Sequence, residues 1–342
     1  MRVGLPERIA QFEENLGDEM RAVTGRLCKL GLGVLSAMAL SGVLAQQAPV
    51  KGGSVSNAGA FSFPSFNHSS DTDGLVIDKV SAAYWPTYQS GSQWQGVEVQ
   101  TQRYRQGGTA LHGQTLAYAQ SAIDPRSGLG LNWRAGWNQG LNNSLLVGEF
   151  NWSQAYSERI SWGLFASRDW VESIGALQQS IHYDLAGGSV DVQVHPRLTA
   201  IGSLAYTKFS DGQDRQQQRA RLVWDLLPDH GVTLQWAYKR QYGATDGVRR
   251  TYFNPQQLDE SLGYLGWRRR FEGWQVYARA GWGFQKLLDQ DHTPARSTEL
   301  QLSSPVYNQR FFKLRAGYAE TIGLNGPGYV YRFVDAQWVW RL

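Results

Sequence analysis

The sequence predicts an all-β fold, a transmembrane antiparallel β-barrel of about 16 strands. Three observations lead there. Runs of roughly 10–15 residues alternate between apolar and polar side chains and are punctuated by Gly, Asn, Asp, Pro and Ser. The apolar faces carry tryptophan near their ends, while the opposite faces carry charge of both signs, as in strands with lipid outside and a polar lumen inside. Connections of two sizes alternate along the chain, as short periplasmic turns and longer external loops do.

The pattern is clearest in Gly273 to Gln285. Trp274, Val276, Ala278, Ala280, Trp282 and Phe284 share one face, and Gln275, Tyr277, Arg279, Gly281, Gly283 and Gln285 the other. A soluble sandwich strand also alternates, but it rarely pairs an apolar face with tryptophan near both ends and a face of Gly, Gln and Arg.

Composition excludes a helical membrane protein. Mean hydropathy is −0.41, and apolar spans of roughly 20 residues are missing. The 342 residues include 38 Gly, 14 Trp, 16 Tyr and one Cys. The one apolar run, Leu30 to Leu44, follows Arg21, Arg26 and Lys29 and ends at Val43-Leu44-Ala45, so residues 1–45 read as a secretory signal peptide, with Met20 an alternative start. Cys28 precedes the apolar run rather than standing in a lipobox, which predicts no lipid anchor. The mature chain then carries no cysteine, as suits an oxidising compartment. Residues 46–55 form a polar periplasmic linker, and 56–342 the barrel.

In chain order, the first strand is expected from Ser56 to Phe66, although Pro64 fits a ladder poorly. Leu129, Leu131, Trp133, Ala135 and Trp137 oppose Asn132, Arg134 and Asn138. Ile160, Trp162, Leu164 and Ala166 oppose Ser161, Ser167 and Asp169. Ala220, Leu222, Trp224 and Leu226 oppose Arg219, Arg221 and Asp225. Val232, Leu234, Trp236 and Tyr238 oppose Thr233, Gln235, Lys239 and Gln241. Phe312, Leu314, Ala316 and Tyr318 oppose Lys313, Arg315 and Gly317. The last strand turns Val334, Ala336, Trp338, Trp340 and Leu342 to lipid and Asp335, Gln337 and Arg341 inward. Its apolar end resembles the signal read by the barrel-assembly machinery, in which Phe is the more usual last residue. Longer external loops are expected at His68–Asp73, Glu172–His182, Ala244–Gln256 and Asp289–Arg296, among others.

Catalytic and cofactor chemistry find no support. The six histidines lie in or beside turns, and none pairs at strand depth with a Ser and an Asp or Asn, so the protein is expected not to be an enzyme. No His/Asp cluster has metal-ligand spacing, so no metal and no cofactor are expected. Asp71-Thr72-Asp73-Gly74 is half of a calcium loop without its later Glu, and reads as a solvated turn. The mild basic surplus points to a pore lining and a lipopolysaccharide-facing surface rather than to nucleic acid.

Three segments carry a resemblance. Tyr206 to Arg215, YTKFSDGQDR, with Asp211, Gly212 and Arg215, resembles the (Y/F)SDGN-x-R turn of the outer-membrane barrels of exopolysaccharide export proteins, with Gln213 in place of the usual Asn. Tyr252-Phe253-Asn254-Pro255 is similar to the aromatic-aromatic-x-Pro segment that follows in those barrels, and Arg168 to Ser173, RDWVES, to a segment before them. These are the barrels of the poly-N-acetylglucosamine and cellulose exporters and the related phage-adsorption protein. The resemblance covers residues 168–270 and lacks their periplasmic tetratricopeptide scaffold. It implies a polysaccharide conduit in the outer membrane of a Gram-negative bacterium, with outer-membrane lipids, a polysaccharide substrate, a separate periplasmic scaffold and an inner-membrane synthase as partners.

A barrel of this size has room for an aqueous lumen. Its expected lining is Arg134, Asp169, Arg219, Arg221, Asp225, Lys239, Tyr277, Arg279, Lys313, Arg315, Asp335 and Arg341. Bases outnumber acids in that set, which favours a neutral or anionic glycan held by weak, multi-site contacts. The alternatives are a general diffusion porin, constricted by residues 172–182 or 244–256, and a surface adhesin or phage receptor acting through its external loops.

Overall fold

The computed structural model describes residues 59–243, 251–288, 290–307 and 309–342. The expected signal peptide and linker lie outside the described residues. Sixteen antiparallel strands follow one another around the wall, each paired with its neighbours in sequence. They are β1 (Ala60–Asp71), β2 (Val76–Ser90), β3 (Gln93–Gln106), β4 (Thr109–Ile123), β5 (Gly130–Gly140), β6 (Leu145–Ser157), β7 (Ile160–Trp170) and β8 (His182–His195). The second half holds β9 (Leu198–Phe209), β10 (Asp214–Leu227), β11 (Val232–Gly243), β12 (Gln257–Phe271), β13 (Trp274–Leu287), β14 (Thr293–Ser303), β15 (Arg310–Gly323) and β16 (Gly326–Arg341). A one-turn helix, α1 (Ile174–Gln178), lies between β7 and β8. A 3-10 turn, Pro228–His230, joins β10 to β11.

The last strand closes the barrel on the first. β1 pairs with β16 from Ala60 opposite Arg341 to Asp71 opposite Tyr331. The Leu342 N–H donates to the Gly59 carbonyl at 2.8 Å. Closure leaves no open strand edge in lipid, where an unpaired backbone group costs several kcal/mol, on the order of the transfer penalty for a bare amide.

β1 is longer and later than expected. It begins at Ala60 and includes His68 to Asp71, which the turn signals place in a loop. Pro64 is accommodated because the register with both neighbours shifts between Ser62 and Ser65, and a bulge asks nothing of the missing N–H. Several described external connections are also shorter than expected. β3 turns into β4 through Gly107 and Gly108 alone, both at positive φ, the backbone a two-residue hairpin needs. Thr293–Arg296, expected in a loop, open β14 instead. On the opposite rim, Asp124 shapes the β4–β5 turn by accepting from Ser127 Oγ at 2.8 Å and from the Ser127 and Arg126 N–H groups. Burial raises the pKa of that carboxyl, but these bonds outweigh it and hold the group below its ordinary value.

Outward positions follow the expected parity. Leu204, Leu222, Trp236, Trp282 and Leu300 are exposed on the outer surface. Inward positions are polar and mostly buried, including Gln235, Gln241, Gln275, Gln285 and Gln301.

Candidate functional site: the inner wall and the external mouth

The strand alternation puts all twelve expected lining residues at inward positions. Arg221, Lys239, Tyr277, Arg279, Lys313, Arg315 and Asp335 are buried. Arg134, Asp169, Arg219, Asp225 and Arg341 are half-buried. The structure brings three of the charged groups, Arg279, Arg315 and Asp335, into one network around Glu299. Glu299 on β14 receives Arg279 Nε at 3.2 Å and Arg315 Nε at 2.5 Å, and Arg315 Nη1 reaches Asp335 at 3.7 Å. Register makes the network: Arg279 stands opposite Glu299, and Arg315 opposite Asp335. Aromatic faces back it. Arg279 lies over the Tyr264 ring at 5.0 Å and Arg315 over Phe333 at 4.8 Å. Gly317 makes room for Phe333, since a Cβ there would stand 2.3 Å from the ring.

Around the rest of the wall, Lys239 faces Glu260 at 3.9 Å and Arg134 meets Glu98 at 3.4 Å. Arg219 and Arg221 donate to Gln217 and Gln235 at 2.8 and 2.7 Å. Among the described residues, cavities in the barrel include one of about 70 Å³, lined by Arg219, Arg221, Lys239, Glu260, Tyr264 and Arg279, and one of about 90 Å³, lined by Lys79, Glu98, Asn132, Arg134 and Glu149.

These pairings set an acid beside four of the expected bases, Arg134, Lys239, Arg279 and Arg315. Glu98, Glu260 and Glu299 were not among the expected lining residues, and each sits against a base that was. Glu299 had a signal, because Leu300 and Leu302 alternate against it. Glu260 had none: Asp259 precedes it, and in an adjacent acidic pair either residue can be the inward one. Removing one member of a buried pair strands a charge and costs about 3–5 kcal/mol, so the bases and acids act as a unit.

The second part of the site is the external mouth, where residues 171–181 fold inward. Ile174 and Leu177 pack with Leu75, Ile77, Tyr104, Leu141 and Leu145 on one side. Val171, Ala176 and Ile181 pack with Tyr183, Leu185, Phe209 and Tyr252 on the other. Ser173 caps α1, accepting from the Ala176 N–H at 3.3 Å, and its hydroxyl donates to the Thr251 carbonyl. Glu172 ion-pairs with Lys79 of β2 and accepts from Tyr104 Oη at 3.2 Å. Trp170, at the end of β7, is buried and donates its indole N–H to Asn138 Oδ1 at 2.9 Å.

The three motif segments meet here. Arg215 is 2% exposed, lies over the Phe209 ring at 5.2 Å, and donates to the Phe253 carbonyl at 2.7 Å and Asn254 Oδ1 at 3.0 Å. The Asn254 amide donates back to the Asp214 carbonyl at 3.1 Å. Tyr252 Oη stands 3.0 Å from both Asp211 carboxylate oxygens. Gly212 supplies the positive φ, +89°, that the β9–β10 turn needs, with open space where a Cβ would sit. The Pro255 carbonyl approaches Gly243 so closely that a Cβ there would lie 2.5 Å from it. Asp211, Gly212, Arg215, Tyr252, Phe253, Asn254 and Pro255 therefore form one interlocked cluster. Among the described residues, no group of three or more His, Cys, Asp or Glu side chains is placed to hold a metal ion.

The fold is a closed antiparallel barrel of sixteen strands, the architecture of outer-membrane β-barrels. No protein-family model matches the sequence, and no curated protein matches it. Among solved structures it resembles a bacterial polysaccharide outer membrane secretin, with a TM-score of 0.62, 10% identity, and coverage of 84% of this chain and 100% of that one. It also matches the outer membrane protein OprD from Pseudomonas aeruginosa at a TM-score of 0.42 and 10% identity, over 87% of this chain and 97% of that one. The CymD monoaromatic hydrocarbon channel matches at 0.36 and 10% identity, over 84% and 89%. At such identities the likeness is one of fold.

Proposed function

We propose that the protein is an outer-membrane conduit for a polysaccharide, with the neutral end of the glycan range as its cargo. One observation carries this reading. The inner wall carries amides and aromatic rings, among them Gln235, Gln275, Gln285 and Gln301 with Tyr264, Tyr277, Tyr331 and Phe333, and Lys239, Arg279 and Arg315 of its bases are paired with acids. Amides hydrogen-bond hydroxyls in either sense, and aromatic faces suit the apolar faces of sugar rings, without strong charge to hold the polymer in place. The solved barrel at TM-score 0.62, described as a polysaccharide secretin, has the same fold. Residues 1–45 would direct secretion and be removed, and a separate periplasmic scaffold and inner-membrane synthase would hand over the polymer.

A general diffusion porin is the second reading, favoured by the inward fold of residues 171–181. An adhesin has less support, because most described external connections are short. Deleting the gene separates the readings. A conduit predicts polymer accumulating in the periplasm, whereas a porin predicts slower uptake of small solutes with no trapped polymer. N-terminal sequencing of the outer-membrane fraction should begin at Gln46, and residues 30–44 still present on the folded protein would overturn the leader assignment.

A further inference from the structure

Inside the barrel, near the end that carries the short turns and Leu342, aromatic rings gather on β2, β3 and β15. The register of β2 with β3 shifts between Tyr84 and Thr87, so Trp85 and Tyr88, three residues apart, both turn inward instead of taking opposite faces. Trp94 stands opposite Tyr88. The Trp85 ring stacks on Trp94 at 4.6 Å and on Tyr88 at 5.6 Å, and Phe311 joins the cluster across the seam where β16 meets β1. Trp85, Tyr88 and Phe311 are buried, while Trp94 keeps part of its surface exposed.

Beside this cluster the wall is hollowed. Trp94, Ser121 and Asn132 stand opposite one another on β3, β4 and β5, and Gly96, Ala119 and Arg134 form the next inward row. The small residues in these rows leave a recess, the cavity of about 90 Å³ described above, which Trp85, Trp94 and Phe311 also line. Gly96 cannot gain a side chain, since a Cβ there would stand 2.0 Å from the Tyr84 carbonyl oxygen. Asn132 is 7% exposed and lines the cavity, and its amide nitrogen meets no hydrogen-bond partner among the described residues. A buried donor left unmet is costly, so the recess favours an occupant that offers an oxygen acceptor at this point. The charges around it cancel. Lys79, Arg134 and Lys313 are bases and Glu98 and Glu149 acids, and Glu172 pairs with Lys79 from the mouth segment. Arg134 meets Glu98 at 3.4 Å and stands opposite Glu149 in register.

We infer that this recess is a subsite for a neutral pyranose ring, with its aromatic side toward the short-turn end. A sugar ring offers an apolar face of C–H groups to an aromatic ring such as Trp94, and hydroxyls at its edge. Those hydroxyls accept from the Asn132 amide and donate to Glu98 or Glu149, since each hydroxyl can do both. A uronic acid ring would bring a further carboxylate beside Glu98 and Glu149, in a lining with no surplus of bases, and is disfavoured. The inference deepens the conduit reading proposed above and rests on it: the polymer would be held on β2–β5 as well as along the amide-bearing wall of β11–β16.

The test titrates the purified, folded full chain in detergent with three neutral hexasaccharides, cellohexaose, maltohexaose and chitohexaose, and with hexagalacturonate, binding being read by isothermal calorimetry. At least one neutral probe should bind, at least about tenfold more tightly than hexagalacturonate, the scale for a charge placed without a partner. Asn132→Leu keeps the bulk and removes the amide, and should weaken that probe about two- to tenfold, the range for one hydrogen bond. Trp94→Ala should also weaken it, and Trp94→Phe, which keeps a ring face, should recover part of the loss. Arg269→Ala, outward at the same end, should leave binding unchanged. The inference is overturned if no neutral probe binds, if hexagalacturonate binds equally well, or if the folded Asn132→Leu protein keeps the full affinity. The gene deletion separates this subsite from the conduit itself. Trapped polymer together with no neutral binding keeps the conduit and removes the subsite, whereas binding through Asn132 without trapped polymer keeps the sugar site and sinks the conduit.

Discussion

Glu172, in the segment that follows β7, ion-pairs with Lys79 of β2 although β3, β4, β5 and β6 lie between those two strands, so the contact reaches across the mouth rather than running along the wall. Both side chains are almost wholly buried, and Tyr104 adds its hydroxyl to the same carboxylate. The pair therefore ties the inward segment 171–181 to β2, five strands round the wall from β7.

Breaking this tie should loosen the mouth. Lys79→Ala strands the Glu172 charge, and the segment is expected to swing outward to rehydrate it. Planar-bilayer recordings should show higher conductance or more frequent opening than wild type. Lys79→Met with Glu172→Gln removes both charges and should restore much of the stability that the single variant loses, about 3–5 kcal/mol by the usual cost of an unpaired buried charge. Unchanged conductance in Lys79→Ala would show that the segment does not gate the mouth.

Arg215 makes the second tie. Lysine there keeps the charge but loses the planar fork that reaches the Phe253 carbonyl and Asn254 together. Arg215→Lys should lower the unfolding midpoint by an amount equivalent to about 1–3 kcal/mol, the range for a buried acceptor left unmet. Hydrogen exchange should rise in residues 251–256 first. Equal exchange in wild type and variant would remove Arg215 from this role.

The facing of the wall is tested by neighbours in sequence. Ala280 faces outward near mid-strand, and Ala280→Arg should cost about 2–4 kcal/mol and impair assembly. Arg279→Ala should fold, because Glu299 keeps Arg315 as its partner at 2.5 Å. Heat-modifiability on gels distinguishes folded barrels, and equal tolerance of both variants would show the facing to be reversed.

Much of the barrel is legible in the sequence because strand parity is a local property. Trp224 outward with Arg221 and Asp225 inward follows from alternation alone. The contacts that organise the site are not local. Arg279 meets Glu299 because the β13–β14 hairpin sets that register, and a register one residue away would have placed Glu299 on the outer face. Residues 171–181 look like an ordinary polar loop, yet Ile174, Ala176 and Leu177 are buried. Their apolar character was the available clue to an inward fold. Segments 168–173, 206–215 and 252–255 stood out singly by resemblance, while their meeting at one mouth depends on strand order and closure.

Glu299 also sets the expected ion selectivity. The run of bases by itself predicts anion preference, but Glu299 holds Arg279 and Arg315, and Asp335 adds a second carboxylate to Arg315. The wild-type channel should therefore discriminate weakly between small anions and cations. Glu299→Gln keeps the side-chain shape and removes one negative charge from between two guanidinium groups. Reversal potentials under a salt gradient should then shift towards anions, most clearly at low ionic strength, since screening acts over about 8 Å at physiological salt and would hide distant charges but not these. The stranded arginines should also make the variant less stable than Glu299→Asp, which keeps the charge on a shorter arm. A strongly anion-selective wild type, or a Glu299→Gln channel with an unshifted reversal potential, would mean that permeating ions do not pass this network.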